Sequence, residues 1–187
     1  MDKVMFKRVV KESVPALVVA AILGMAAGAM MQLKLEMWAS LPIFLMLVPP
    51  LNDLGNDISC IVSSKISTLL ALGIIKPEMR INAVLKENLV SISIVAFLSA
   101  LYLGAINYMI AGGAGVETIS VWSFLAICIV AVSLLTLLVV TISISVAFVS
   151  WRKGLDPDNV TIPICTSVSD VLGIVCLLIA VAIIGVG

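Results

Sequence analysis

Asp170 stands inside the apolar run Thr161–Gly187, which is long enough to cross a bilayer. An ionised aspartate at such depth costs several kcal/mol unless it is paired, hydrated or bound to a cation. Thr166 and Gly173 flank it at i−4 and i+3, so a hydroxyl and a bare stretch of backbone share its helix face. That face suits a partly hydrated ion; the structural alternatives are an ion pair with Lys65 or a protonated, hydrogen-bonded aspartate. A second polar cluster, Asn52-Asp53-Leu54-Gly55-Asn56-Asp57, interrupts another apolar run just after Pro49 and Pro50. The sequence has no histidine, and Cys60, Cys128, Cys165 and Cys176 have no C-x-x-C spacing. Zinc, copper and haem chemistry and a histidine proton shuttle are therefore disfavoured. Oxygen ligands alone suit hard cations such as Mg²⁺, Ca²⁺, Mn²⁺ or Na⁺. No nucleophile–base pair is present, so an enzyme is not expected, and no organic cofactor is implied.

The elements that must position these groups follow from composition. Hydrophobic residues make up 62% of the 187-residue chain and charged ones 12%, with a mean hydropathy of +1.26. A water-soluble domain needs no such excess of apolar surface. The expected fold is an all-α integral membrane protein with five transmembrane helices near 14–32, 41–72, 88–110, 121–149 and 161–187. These form a single transmembrane domain over 1–187 with no soluble regulatory domain. Eleven basic residues balance eleven acidic ones, which excludes a strongly basic nucleic-acid binder. Nine of the eleven basic residues fall on one side of these spans, leaving Lys34 and Lys65 as the exceptions. The expectation is a multi-pass protein of the plasma membrane with its N-terminus cytoplasmic and its C-terminus outside. The first span is read as retained rather than cleaved, with Ser13 as N-cap and Pro15 in the first turn.

The second span is anomalous. It is about 32 residues long, and Pro42, Pro49 and Pro50 remove backbone donors ahead of the polar cluster. A broken helix is the expectation, restarting near Asn52 or Gly55 with Asp53 as cap. Such a break is tolerated at membrane depth only where it is buried in protein or lines a wet cavity. An odd number of spans cannot form two equal inverted halves, so a symmetric pathway needs a homodimer with its pore at the interface. Two Asp170 side chains would then meet on the axis, and a divalent cation between them relieves their repulsion. Gly24-x-x-x-Gly28 would let another helix approach closely. Hydroxyls on the fourth span (Ser133, Thr136, Thr141, Ser143, Ser145) suit internal hydrogen bonding, with pore lining as the alternative. Asp156-Pro157-Asp158-Asn159 either gathers cations at an inner mouth or serves as a plain helix-start turn.

Leu155-Asp156-Pro157-Asp158-Asn159-Val160-x-x-Pro163, followed by Thr166-Ser167-x-Ser169-Asp170-x-x-Gly173, resembles the last-helix signature of the MgtE family of magnesium channels and the related eukaryotic solute-carrier magnesium transporters. Val48-Pro49-x-Leu51-x-x-Leu54-Gly55-Asn56, with Ser63-Ser64-Lys65-Ile66-Ser67-Thr68 downstream, is similar to the Pro…Gly-Asn…Ser-Arg-Leu-Ser-Thr pattern of the solute-carrier branch. The resemblance implies Mg²⁺ passing through a pore between two five-helix units, with Asp170 as its ligand and Gly55 and Asn56 on the pore-lining helix. Two positions depart from the pattern: Lys65 replaces an arginine, and Ile162 replaces an asparagine found in bacterial members. The expected metal ligands are thus Asp170, Asn56, Asp57 and Asp53. The expected pore lining is Pro49, Gly55, Thr166, Ser169 and Gly173, with Asp156, Asp158 and Asn159 at the inner mouth. A proton-coupled cation exchanger and a non-transporting membrane subunit are the alternatives.

Overall fold

The computed structural model describes residues 3–33, 36, 38, 41–76 and 83–185, and structural statements below concern these residues. Lys34 and Arg80, both counted in the charge asymmetry, lie outside them, as do Val186 and Gly187 at the end of the fifth span. Five α-helices follow one another: α1 (Lys3–Leu33), α2 (Pro42–Ala71), α3 (Ala83–Gly113), α4 (Val121–Arg152) and α5 (Pro157–Ile184). In an apolar solvent every backbone amide must find a partner within its own segment, which is why long apolar stretches become helices. Stretches within α1, α3, α4 and α5 are long and apolar enough to cross a membrane: Val9–Leu33, Val84–Gly113, Val121–Arg152 and Pro157–Ile184. The chain is a multi-pass membrane protein. At 30 residues α2 is as long as the others, and only its polar block keeps it out of that set.

Helix ends are encoded locally. After α2, Gly73 takes φ 68° and after α4 Gly154 takes φ 70°, the left-handed region that glycine enters without Cβ strain. Each stop is closed by a pair of reversed bonds, Ile74 N to Leu69 O at 3.0 Å and Leu155 N to Ser150 O at 3.0 Å among them. The start of α5 is capped by Asp156, whose side chain accepts from Asp158 N at 3.1 Å, with Pro157 in the first turn.

Two expectations about helix boundaries are corrected. The break expected at Pro49 and Pro50 is absent: α2 runs without interruption from Pro42 to Ala71, and Asp53 is a mid-helix residue rather than a cap. Each proline costs about 3 kcal/mol in a helix interior, because it lacks an N–H and crowds the preceding turn. What offsets that cost is a continuous buried face, with Phe44, Leu47 and Val48 before the prolines and Leu51, Gly55, Ile58 and Val62 after them. The donors lost at Pro49 and Pro50 would have served the carbonyls of Leu45, which is exposed, and Met46, which is half-buried. Likewise α1 begins at Lys3, so Ser13 is no cap and Pro15 lies inside the helix.

Packing places α5 at the centre, against α1, α2 and α4, while α4 also contacts α2 and α3. The contacts alternate up and down. Glu12 meets Asp156 and Asn159, so α1 runs parallel to α5; Asn56 meets Asp170, and Gly55 and Gly173 meet Ser169 and Asn52, so α2 runs antiparallel to it. At the end where α2 starts, Phe124 stacks on Phe44 at 6.1 Å and packs against Tyr108 at 5.9 Å, and Tyr108 donates to Ile119 O at 3.0 Å. This aromatic knot fixes the entry of α2 against α3 and α4.

Candidate functional site

The seam between α2 and α5 is built from small residues set opposite polar ones. Gly55 is buried against Ser169 and Leu135, and a Cβ there would strike Ser169 Oγ and come within 2.9 Å of Leu135 Cδ2. Gly173 is buried against Asn52 in the same way, its missing side chain leaving room for Asn52 Oδ1. Between these two contacts Asn56 Nδ2 donates to Asp170 Oδ1 at 3.1 Å. Both residues are half-buried, and each stands near the midpoint of its own helix, roughly 20 Å from either end of α5. Asp170 thus stands far from both ends of α5.

The carboxylate is held by a neutral amide and by no lysine or arginine among the described residues. Lys65, the alternative partner considered from the sequence, is exposed and donates instead to Asn88 Oδ1 at 3.0 Å. Around Asp170 lie buried oxygens with no hydrogen-bond partner: Asn52 Oδ1, Asn56 Oδ1 and Ser169 Oγ. A buried acceptor without a donor costs about 1–3 kcal/mol, so this seam is polar at a cost to packing.

The other sequence-derived positions separate into distinct places. Pro49, Asp53 and Asp57 form an exposed row on α2, four residues apart, with Leu45 and Ile61 continuing it at either end. Thr166 is half-buried, but its hydroxyl donates to Ile162 O at 3.0 Å and Pro163 O at 3.2 Å, while Ser167 donates to Pro163 O at 3.0 Å. Of the fourth-span hydroxyls, Thr141 donates to Leu137 O at 2.7 Å, Ser145 to Thr141 O at 2.8 Å, and Ser143 lies 3.4 Å from Ser59 on α2. At the far end of the seam Asp156 and Asp158 line a cavity of about 650 Å³ with Ser67, Thr68 and Trp151. Asn159 turns away from it and donates to Glu12 Oε2 at 3.2 Å. Among the described residues no cluster of three or more His, Cys, Asp or Glu side chains could hold a metal directly.

Residues 48–180 match the family model MgtE, described as a divalent cation transporter. The chain belongs to the MgtE family. Neither the curated proteins nor the solved structures compared give a match. MgtE is a transporter family, and the matched stretch contains the whole α2–α5 seam, from Val48 ahead of the proline pair to Ala180 beyond Asp170. The sequence places Asn52 in a polar cluster without its partner on the seam, and gives Glu12, which lies on α1 outside the MgtE match, no role. Asn52 carries a signal in hindsight, since it precedes Asn56 by one helical turn on the same side. Glu12 carries none, because its partners Asp156 and Asn159 are distant in sequence.

Proposed function

We propose that the chain passes Mg²⁺ across the plasma membrane as a homodimer, the ion moving along the interface past Asp170. The observation that carries this reading is a half-buried carboxylate at mid-helix whose partner is the Asn56 amide and not a cation. Left alone in hydrocarbon, that charge is costly, and a hydrated divalent ion removes the cost. Mg²⁺ gives up its water reluctantly and is held through one or two carboxylates, so a donor set too sparse to strip an ion fits a hydrated one. In this reading Asn52 Oδ1 and Asn56 Oδ1 accept from the ion's water ligands.

The exposed row on α2 supports the homodimer. Asp53 and Asp57 cannot face lipid, and a second copy laid against that row would enclose it with two Asp170 side chains in an aqueous cleft. The helix α2 is then the fifth span, wetted along one edge. Pro49, Gly55, Thr166, Ser169 and Gly173 belong to the wall of this path, and the cavity beside Asp156 and Asp158 is its mouth. The basic residues Lys7, Lys11, Lys76, Lys86, Arg152 and Lys153 all sit at that same end of the bundle, which supports reading it as the cytoplasmic one.

Proteoliposomes of the purified chain, loaded with a Mg²⁺-sensitive dye, test the reading. Uptake should follow external Mg²⁺ and be abolished by Asp170→Ala with the oligomer size unchanged. Uptake equal to wild type in that variant would refute it.

A further inference from the structure

A second cleft lies apart from the seam, between the N-terminal half of α1 and the start of α5. It has a volume of about 540 Å³, its walls include Pro15, Val19, Val160 and Ile164, and its rim carries Lys7 and Lys11. The two lysines are exposed, stand one helical turn apart, and make no ion pair among the described residues. Glu12 also lines the cleft, and its Oε2 accepts from Asp156 N and from Asn159 Nδ2, each at 3.2 Å. One carboxylate is thus spent on holding α1 to α5, and two ammonium groups are left facing the cleft mouth.

The position of the cleft decides its occupant. The apolar span of α1 begins at Val9, so Lys7 and Lys11 lie at the membrane boundary while Val19 is roughly 12 Å deeper. Charge is at the surface and apolar wall below it, in the order in which a phospholipid presents its phosphate and its chains. We infer that this cleft is a binding site for an anionic glycerophospholipid, its phosphate between Lys7 and Lys11 and one acyl chain along Pro15, Val19, Val160 and Ile164. A zwitterionic headgroup brings its own ammonium to the lysines and is disfavoured. Basic pockets between spans at a membrane surface have this chemistry in general.

The test uses the whole chain in neutral detergent, with short-chain phosphatidylglycerol or phosphatidylcholine titrated in and bound lipid counted by native mass spectrometry. Wild type should retain phosphatidylglycerol at least roughly tenfold better, since each lysine near an anionic group contributes about a fivefold factor. Lys7→Gln with Lys11→Gln should bring the two lipids within about twofold of each other, while Lys76→Gln with Lys153→Gln, which removes the same charge at the same end, should keep the preference. Val19→Trp, which fills the cleft and leaves the lysines, should weaken phosphatidylglycerol binding. No preference in wild type, equal loss in both double variants, unchanged binding in Val19→Trp, or displacement by inorganic phosphate at the lipid's own concentration would each overturn the assignment.

Discussion

The two flanks of α2 carry the same kind of bond with opposite outcomes. Toward α5, the Asn56 amide donates to the Asp170 carboxylate at 3.1 Å, half-buried at mid-helix. Toward α3, the Asn88 carbonyl accepts from the Lys65 ammonium at 3.0 Å, exposed near the helix ends. Each pairs one charge with one carboxamide across two helices, so chemistry does not distinguish them; depth does. Lys65 can extend along its stem to the membrane surface and keep water on its charge. Asp170 has a short side chain and no such escape, so its charge must be met where it stands.

That contrast can be broken from either side. Asp170→Asn keeps the shape and the hydrogen-bonding capacity of the residue but removes the charge, and Mg²⁺ uptake should fall by roughly a hundredfold, the effect of losing a charge-assisted contact of about 2–3 kcal/mol. Asn56→Asp sets a second carboxylate beside the first. Thermal unfolding should then come several degrees earlier in chelator and be restored by millimolar Mg²⁺, because a divalent ion offsets the repulsion. Gly55→Ala tests the packing that brings the pair together: a Cβ against Ser169 and Leu135 should lower stability by about 1–3 kcal/mol. Adding Ser169→Ala should recover part of it, since the unpartnered hydroxyl leaves while Leu135 stays. Lys65→Gln should do least, changing stability by less than about 1 kcal/mol and uptake by less than about twofold, as an exposed interaction should. An effect at Lys65 as large as that at Asp170 would erase the distinction between the flanks.

What was legible in the sequence was local. The order of the helices follows from apolar length, and one of the two readings of Asp156-Pro157-Asp158-Asn159, a helix-start turn, marks the start of α5; the stops at Gly73 and Gly154 emerge only from the structure. Asp170 stood out because a charge in an apolar run has few explanations. The proline pair misled because the force that keeps α2 continuous is the buried row from Phe44 to Val62, which acts only once α3, α4 and α5 are in place. Asn52 is expected at the restart of a broken helix and Ser169 on a pore wall, whereas the fold fits each to a glycine on the opposite helix, Gly173 and Gly55. A complementarity of that kind is a property of two segments and is invisible in either one. Glu12 belongs to the same class, its partners lying at the far end of the chain.

Helix α1 leans chiefly on α5 and is otherwise surrounded by whatever solvates the bundle, with Leu17, Ile22 and Met25 all more than half exposed. It is the outermost stave of the barrel, pinned at one end by Glu12. Its opening disturbs few neighbours, so hydrogen exchange in detergent should find the amides of α1 the first to trade their protons and those of α5 among the last.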